Sequence, residues 1–212
     1  MRALILLTAP AFAIVHMVAT ATAAPQEERA ASPVGAILAL DAAIQKRFET
    51  VDRRFGFTRL LLPNGAHGFS PENDEEISSL RELEDANLRV ALYLASRRFV
   101  APAADQRAGH TADRIRGPLA ITRGPSGATP PAASMRSEGR KAFQLFERND
   151  PQHEFPIGQW MVVARPVRAI NATCVKCHTS SDDSWPTNNS DLRVGDVLGV
   201  VFYAYQPATA SR

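Results

Sequence analysis

The stretch Asn171 to Ser180, NATCVKCHTS, restricts this chain more than any other, because it holds both cysteines of the sequence, Cys174 and Cys177, with His178 directly after the second. Whatever fold the chain adopts must present these three side chains together on one tight turn. Four chemistries use closely spaced cysteines. A structural disulfide between these two would close too small a loop to constrain the unfolded chain much. A zinc site wants four protein ligands and would have to recruit distant histidines or carboxylates, since there is no third cysteine. A redox dithiol uses the same spacing but has no need of the adjacent histidine. The fourth, c-type haem attachment, uses all three residues: two thiols on one turn reach the two vinyl groups, and the imidazole beside them reaches the iron axially. The pattern predicts one covalent haem c on Cys174 and Cys177, with His178 as the proximal iron ligand.

The N-terminus speaks to the compartment in which such attachment takes place. Arg2 precedes an apolar run, ALILLTAPAFAIVHMVA, and then the small-residue run TATAA, with an A-x-A site at Ala21-Thr22-Ala23. This is the layout of a signal peptide over residues 1–23, leaving a mature domain of residues 24–212 in the periplasm. Pro10 and His16 inside the run weigh against an uncleaved anchor, and no other run is long enough to span a bilayer, so no membrane association is expected after cleavage. The chain has 24 basic and 22 acidic residues, a formal charge of +2. That balance, with no block of basic residues, argues against a polyanionic partner such as nucleic acid. Length and composition fit one globular domain.

Two helices are signalled in the first half. Ser32-Pro33 offers an N-cap followed by proline at the first helical position, and Ile37, Leu40, Ile44, Phe48 and Val51 recur at helical spacing. Ser70-Pro71 repeats the device, with Glu72, Asp74, Glu75 and Glu76 in the first turn and Ile77, Leu80, Leu88, Leu92, Ala95 and Phe99 on one face, which predicts a single helix reaching to about Phe99. LAITR reads as a short strand and Ser134 to Glu147 as a third helix. GQWMVVARPVRAI and GDVLGVVFYAYQP read as strands rich in β-branched and aromatic residues. The expectation is an α+β fold: a helical half over about 32–100, a sheet-rich, haem-binding half over about 118–207, and helices on one side of a mostly antiparallel sheet.

The segment from about Pro118 to Pro207 resembles the Tll-type haem domain, a one-haem c domain of PAS-like fold found in periplasmic cytochromes and in sensory ectodomains of some bacterial signalling proteins. The matching stretches are ARPVRAINATCVKCH, a strand ending in Arg-Pro that runs into the haem motif, and LRVGDVLGVVFYAY, where Gly195-Asp196 and Gly199 open the last strand. The resemblance implies a PAS-like antiparallel sheet with N-terminal helices packed on it. Some members resemble each other in using a cysteine from the helical half as the second axial ligand, and this chain has none to spare.

By residue type, the sixth iron position falls to His67, His110, His153, Met135 or Met161, or stays open or water-bound. His67 leads, because Gly65 and Gly68 beside it allow close backbone approach and Phe69 could lie against the ring. His110 has one such glycine, and Met161 reads more simply as a core residue. Arg165, Arg168 and Lys176 are candidates for pairing with haem propionates, or else solvated charges. The functional expectation is a single-haem electron carrier with a separate redox partner protein. A haem-based redox or gas sensor acting through a partner is the alternative. A haem enzyme such as a peroxidase would need a distal acid–base group over open iron, which no arrangement in the sequence singles out.

Overall fold

A computed structural model describes residues 32–50, 69–100, 115–122, 128–179 and 192–208. Helix α1 spans Pro33–Thr50, with Ser32 accepting from the Gly35 amide (3.0 Å) as its cap. Helix α2 spans Asp74–Asp85. It starts three residues later than Ser70-Pro71 suggests, because Asn73 accepts from the Glu76 amide (2.8 Å) and closes the first turn. Strand β1 follows (Leu88–Ser96), then a single turn α3 (Arg97–Val100), β2 (Ile115–Ala120), a 3-10 turn over Ala132–Met135, and α4 (Arg136–Glu147). Strands β3 (His153–Ile157) and β4 (Trp160–Arg168), helix α5 (Ala172–Thr179) and β5 (Val197–Pro207) complete the chain. Among the described residues no helix is long and apolar enough to cross a membrane.

All five strands form one antiparallel sheet in the order β2-β1-β5-β4-β3. The protein is of the α+β class, and its sheet, with N-terminal helices packed on it, is PAS-like. Three features differ from the sequence reading. The expected long second helix ends at Asp85, and Leu88, Leu92 and Ala95 lie in a strand that pairs with β5 along its whole length. The cause is that β1 is covered on both faces, so nearly every residue is apolar and the period of two is lost; the apolar positions then coincide with helical spacing. Asn87, at φ 50°, stops α2 in the left-handed conformation that asparagine tolerates. The division into a helical and a sheet-rich half therefore fails, since β1 belongs to the first half.

The second difference is β3, which pairs with β4 through a two-residue turn at Gly158-Gln159 where Gly158 takes φ 60°. The third is that helices cover both faces rather than one. Ile37, Leu40 and Ile44 of α1 and Leu83 of α2 pack on Val90, Leu92, Val163, Val201 and Tyr203. On the other face Phe143 and Phe146 of α4, with Met135, pack on Tyr93, Val162, Ala164, Val200 and Phe202. Alternation along β4 sorts its side chains accordingly: Val162 and Ala164 face α4, while Val163 and Arg165 face α1.

A buried polar cluster fastens α1 to this sheet. Asp41 is fully buried and accepts from Arg165 Nε (2.9 Å), Tyr203 Oη (3.0 Å) and Gln45 Nε2 (2.7 Å). A second cluster joins α1 to α2, where the buried Glu76 carboxylate takes Arg47 Nε (2.8 Å) and the Glu72 amide (2.8 Å). Between β1 and β5 the packing leaves no room at Gly199, where a Cβ would lie 2.5 Å from the Ala95 carbonyl oxygen. Gly199→Ala is therefore expected to force the two central strands apart and to cost about 2 kcal/mol, as overpacking does. Urea unfolding checks this, and a cost below a few tenths of a kcal/mol would show that the strands separate freely there.

Candidate functional site

The Cys-x-x-Cys-His sequence forms α5, which leaves the sheet at the end of β4. Local chemistry explains the helix. Asn171 stands just before it, and its side-chain oxygen accepts from the Cys174 amide (3.0 Å), filling an orphan donor of the first turn. Thr179 in the last turn donates to the Val175 carbonyl (2.8 Å). At about 100° per residue, positions 174, 177 and 178 fall within roughly a third of the helix circumference, so the three positions share one face.

The base of the helix is anchored to the sheet. Ala169 is buried with Leu192 and Leu198, and Cys174 and Val175 pack against the same small cluster. The Ala169 amide donates to the Asp196 carbonyl (2.9 Å) and its carbonyl accepts from the Gly195 amide (2.7 Å), so the strand pairing extends one step into the turn before β5. Cys174 is half-buried as a free thiol. His178 is solvent-exposed, yet the surrounding chain strips enough water from its ring to disfavour the charged form, and its pKa lies below the ordinary imidazole value. Lys176 is exposed on the same helix.

The other expected site residues are distributed differently. His67 and His110 lie outside the described residues. His153 is on β3, 3.2 Å from the Glu138 carboxylate and stacked on Phe155. Met135 is fully buried under α4. Met161, expected in the core, is 38% exposed at the start of β4. It stands seven strand residues from Arg168, roughly 23 Å at the usual rise, and so at the opposite end of β4 from α5.

Two of the three propionate candidates are otherwise committed. Arg165 points to the α1 face and pairs with Asp41 and the Pro151 carbonyl. Arg168 points to the α4 face and donates to the Gly195 carbonyl (2.9 Å) and the Phe146 carbonyl (2.8 Å). Neither is a solvated charge, and only Lys176 remains available from that set. Their nearness to the Cys-x-x-Cys-His stretch left two readings open, a propionate partner or a solvated charge. The signal that could have separated them is strand alternation, which sends residues 165 and 168 to opposite faces.

Among the described residues no group of three or more histidine, cysteine, aspartate or glutamate side chains is placed to hold a metal ion. Comparison of the chain with protein-family models, with curated proteins and with solved structures finds no match in any of the three. What defines the class of this protein is its PAS-like α+β fold, and fold alone assigns no activity.

Proposed function

We propose that the protein is an exported, periplasmic single-haem c-type cytochrome of the Tll-type haem domain family that carries electrons to or from a separate redox partner. The observation that carries this reading is the capped helix α5, which sets positions 174, 177 and 178 on one face while its base is held by the sheet. The bound haem would supply the one-electron couple. The chain's part is to offer two thiols for attachment, to hold His178 where an axial ligand belongs, and to leave that end of the fold open to a partner, as the exposure of Lys176 and His178 allows.

His67, with Gly65 and Gly68 beside it, is the first choice for the sixth ligand and His110 the second, both outside the described residues. Absorption spectra of the oxidised, reduced and carbon-monoxide-treated protein test both points. A carrier with an internal sixth ligand is expected to be low-spin in both oxidation states and to bind carbon monoxide slowly. His67→Ala should make the reduced form high-spin and quick to bind, and His110→Ala should leave it unchanged; the reverse outcome would assign the sixth position to His110. A high-spin reduced wild type would overturn the carrier in favour of a ligand-binding sensor or enzyme.

A further inference from the structure

We infer that Arg168 is the positioning residue of the haem helix: its guanidinium fixes the angle at which α5 leaves the sheet and thereby sets the approach of His178 to the iron. This rests on the haem reading above and deepens it. Pairing between β4 and β5 is regular up to Val167 opposite Gly199 and then slips, so that Arg168 stands opposite Val197. The extra residue, Leu198, is on β5, so β4 keeps its alternation and Arg168 faces the α4 side beside the irregularity. Arg168 uses that direction to donate one N–H to the Gly195 carbonyl (2.9 Å) and another to the Phe146 carbonyl (2.8 Å). Phe146 lies in the last turn of α4, where carbonyls carry the negative end of the helix dipole and favour a cation. One planar group thus ties the end of β4 to the turn before β5 and to the end of α4, and only Ala169 and Ile170 separate it from the Asn171 cap of α5.

A second arginine provides the contrast. Arg97 donates to the Val197 carbonyl (2.9 Å) and to Glu147 (3.2 Å), joining α4 to β5, and among the described residues these hydrogen bonds reach neither β4 nor α5. If both arginines only hold the framework together, their replacement should have like effects. If Arg168 aims the helix, its effect should reach the haem.

The test uses the full chain made in cells with cytochrome c maturation, comparing wild type, Arg168→Lys and Arg97→Lys. Lysine keeps the charge but, as a single compact donor group, cannot span two carbonyls as the guanidinium fork does. With haem content established by mass, Arg168→Lys is expected to shift the midpoint potential and alter the electron paramagnetic resonance signals of the oxidised protein, while Arg97→Lys lowers the melting temperature and leaves both unchanged. Identical spectra and potential in haem-loaded Arg168→Lys and wild type would overturn the inference. Should Arg168→Lys fail to accumulate, Arg168→Gln, which retains a donor, gives the same readout. Failure of both to fold would also overturn it, by assigning Arg168 to the general framework. A wild type without haem would instead refute the cytochrome reading itself, a result visible by mass before any spectrum is compared.

Discussion

Replacing Cys174 and Cys177 together by serine is expected to abolish covalent haem attachment completely. The two positions lie one turn apart on α5, and the sequence has no other cysteine to substitute for either. Made in cells with the maturation machinery, the wild type should yield a chain beginning at Ala24 with one haem added, and the double variant a chain with none. Each single variant should retain at most one thioether. Mass spectrometry of the intact protein reads all of these outcomes. Unmodified thiols in the wild type would overturn the cytochrome, and a Cys174–Cys177 disulfide in its place would move the reading to a redox dithiol. His178→Ala separates attachment from ligation: both thioethers can still form while the haem spectrum changes, because the ligand next to the anchors is gone.

Asp41→Ala is expected to destabilise the fold by about 3 kcal/mol, toward the low end for breaking a buried ion pair because Arg165 keeps some contact with water. The variant removes the acceptor of three side-chain donors and leaves Arg165 without its carboxylate partner under α1. Chemical denaturation measures the loss, and an effect below 1 kcal/mol would mean that α1 is held by its apolar face alone. The same residue gives a pH dependence whose sign follows from its surroundings. Burial raises the Asp41 carboxyl above the usual carboxylate range, and the charge of Arg165, with the hydrogen bonds from Arg165, Tyr203 and Gln45, opposes this without reversing it. A carboxyl whose folded pKa exceeds its unfolded one takes up a proton on folding, so its cost above the folded pKa is relieved as the pH falls through that value. The advantage of wild type over Asp41→Ala should therefore grow as the pH falls from neutral toward the unfolded carboxylate value. An advantage that shrinks over this range would show the carboxyl held below its ordinary value by Arg165.

The local chemistry of this protein was legible in its sequence because it is written over short spans. Ser32-Pro33 starts α1, the β-branched run of Val197–Pro207 forms the central strand β5, and Cys174, Cys177 and His178 fall on one short helix, α5. In each case the signal is a backbone cap, a side-chain period or a fixed spacing within a few residues. The tertiary structure decided the rest, because it depended on partners far away in the chain. Leu88–Ser96 has the apolar content of a buried helix and is a strand, since β2 and β5 pair with its edges and the two helical layers cover its faces. Arg165 and Arg168 read alike beside the Cys-x-x-Cys-His stretch, yet one faces Asp41, 124 residues away, and the other binds the end of α4. Met161 sits in an apolar strand and is partly exposed because it lies at the end of the sheet away from α5. Spacing along the chain tells which side chains stand together on one turn, but only the pairing of distant strands tells which end of the sheet that turn occupies and which charges are free to serve it.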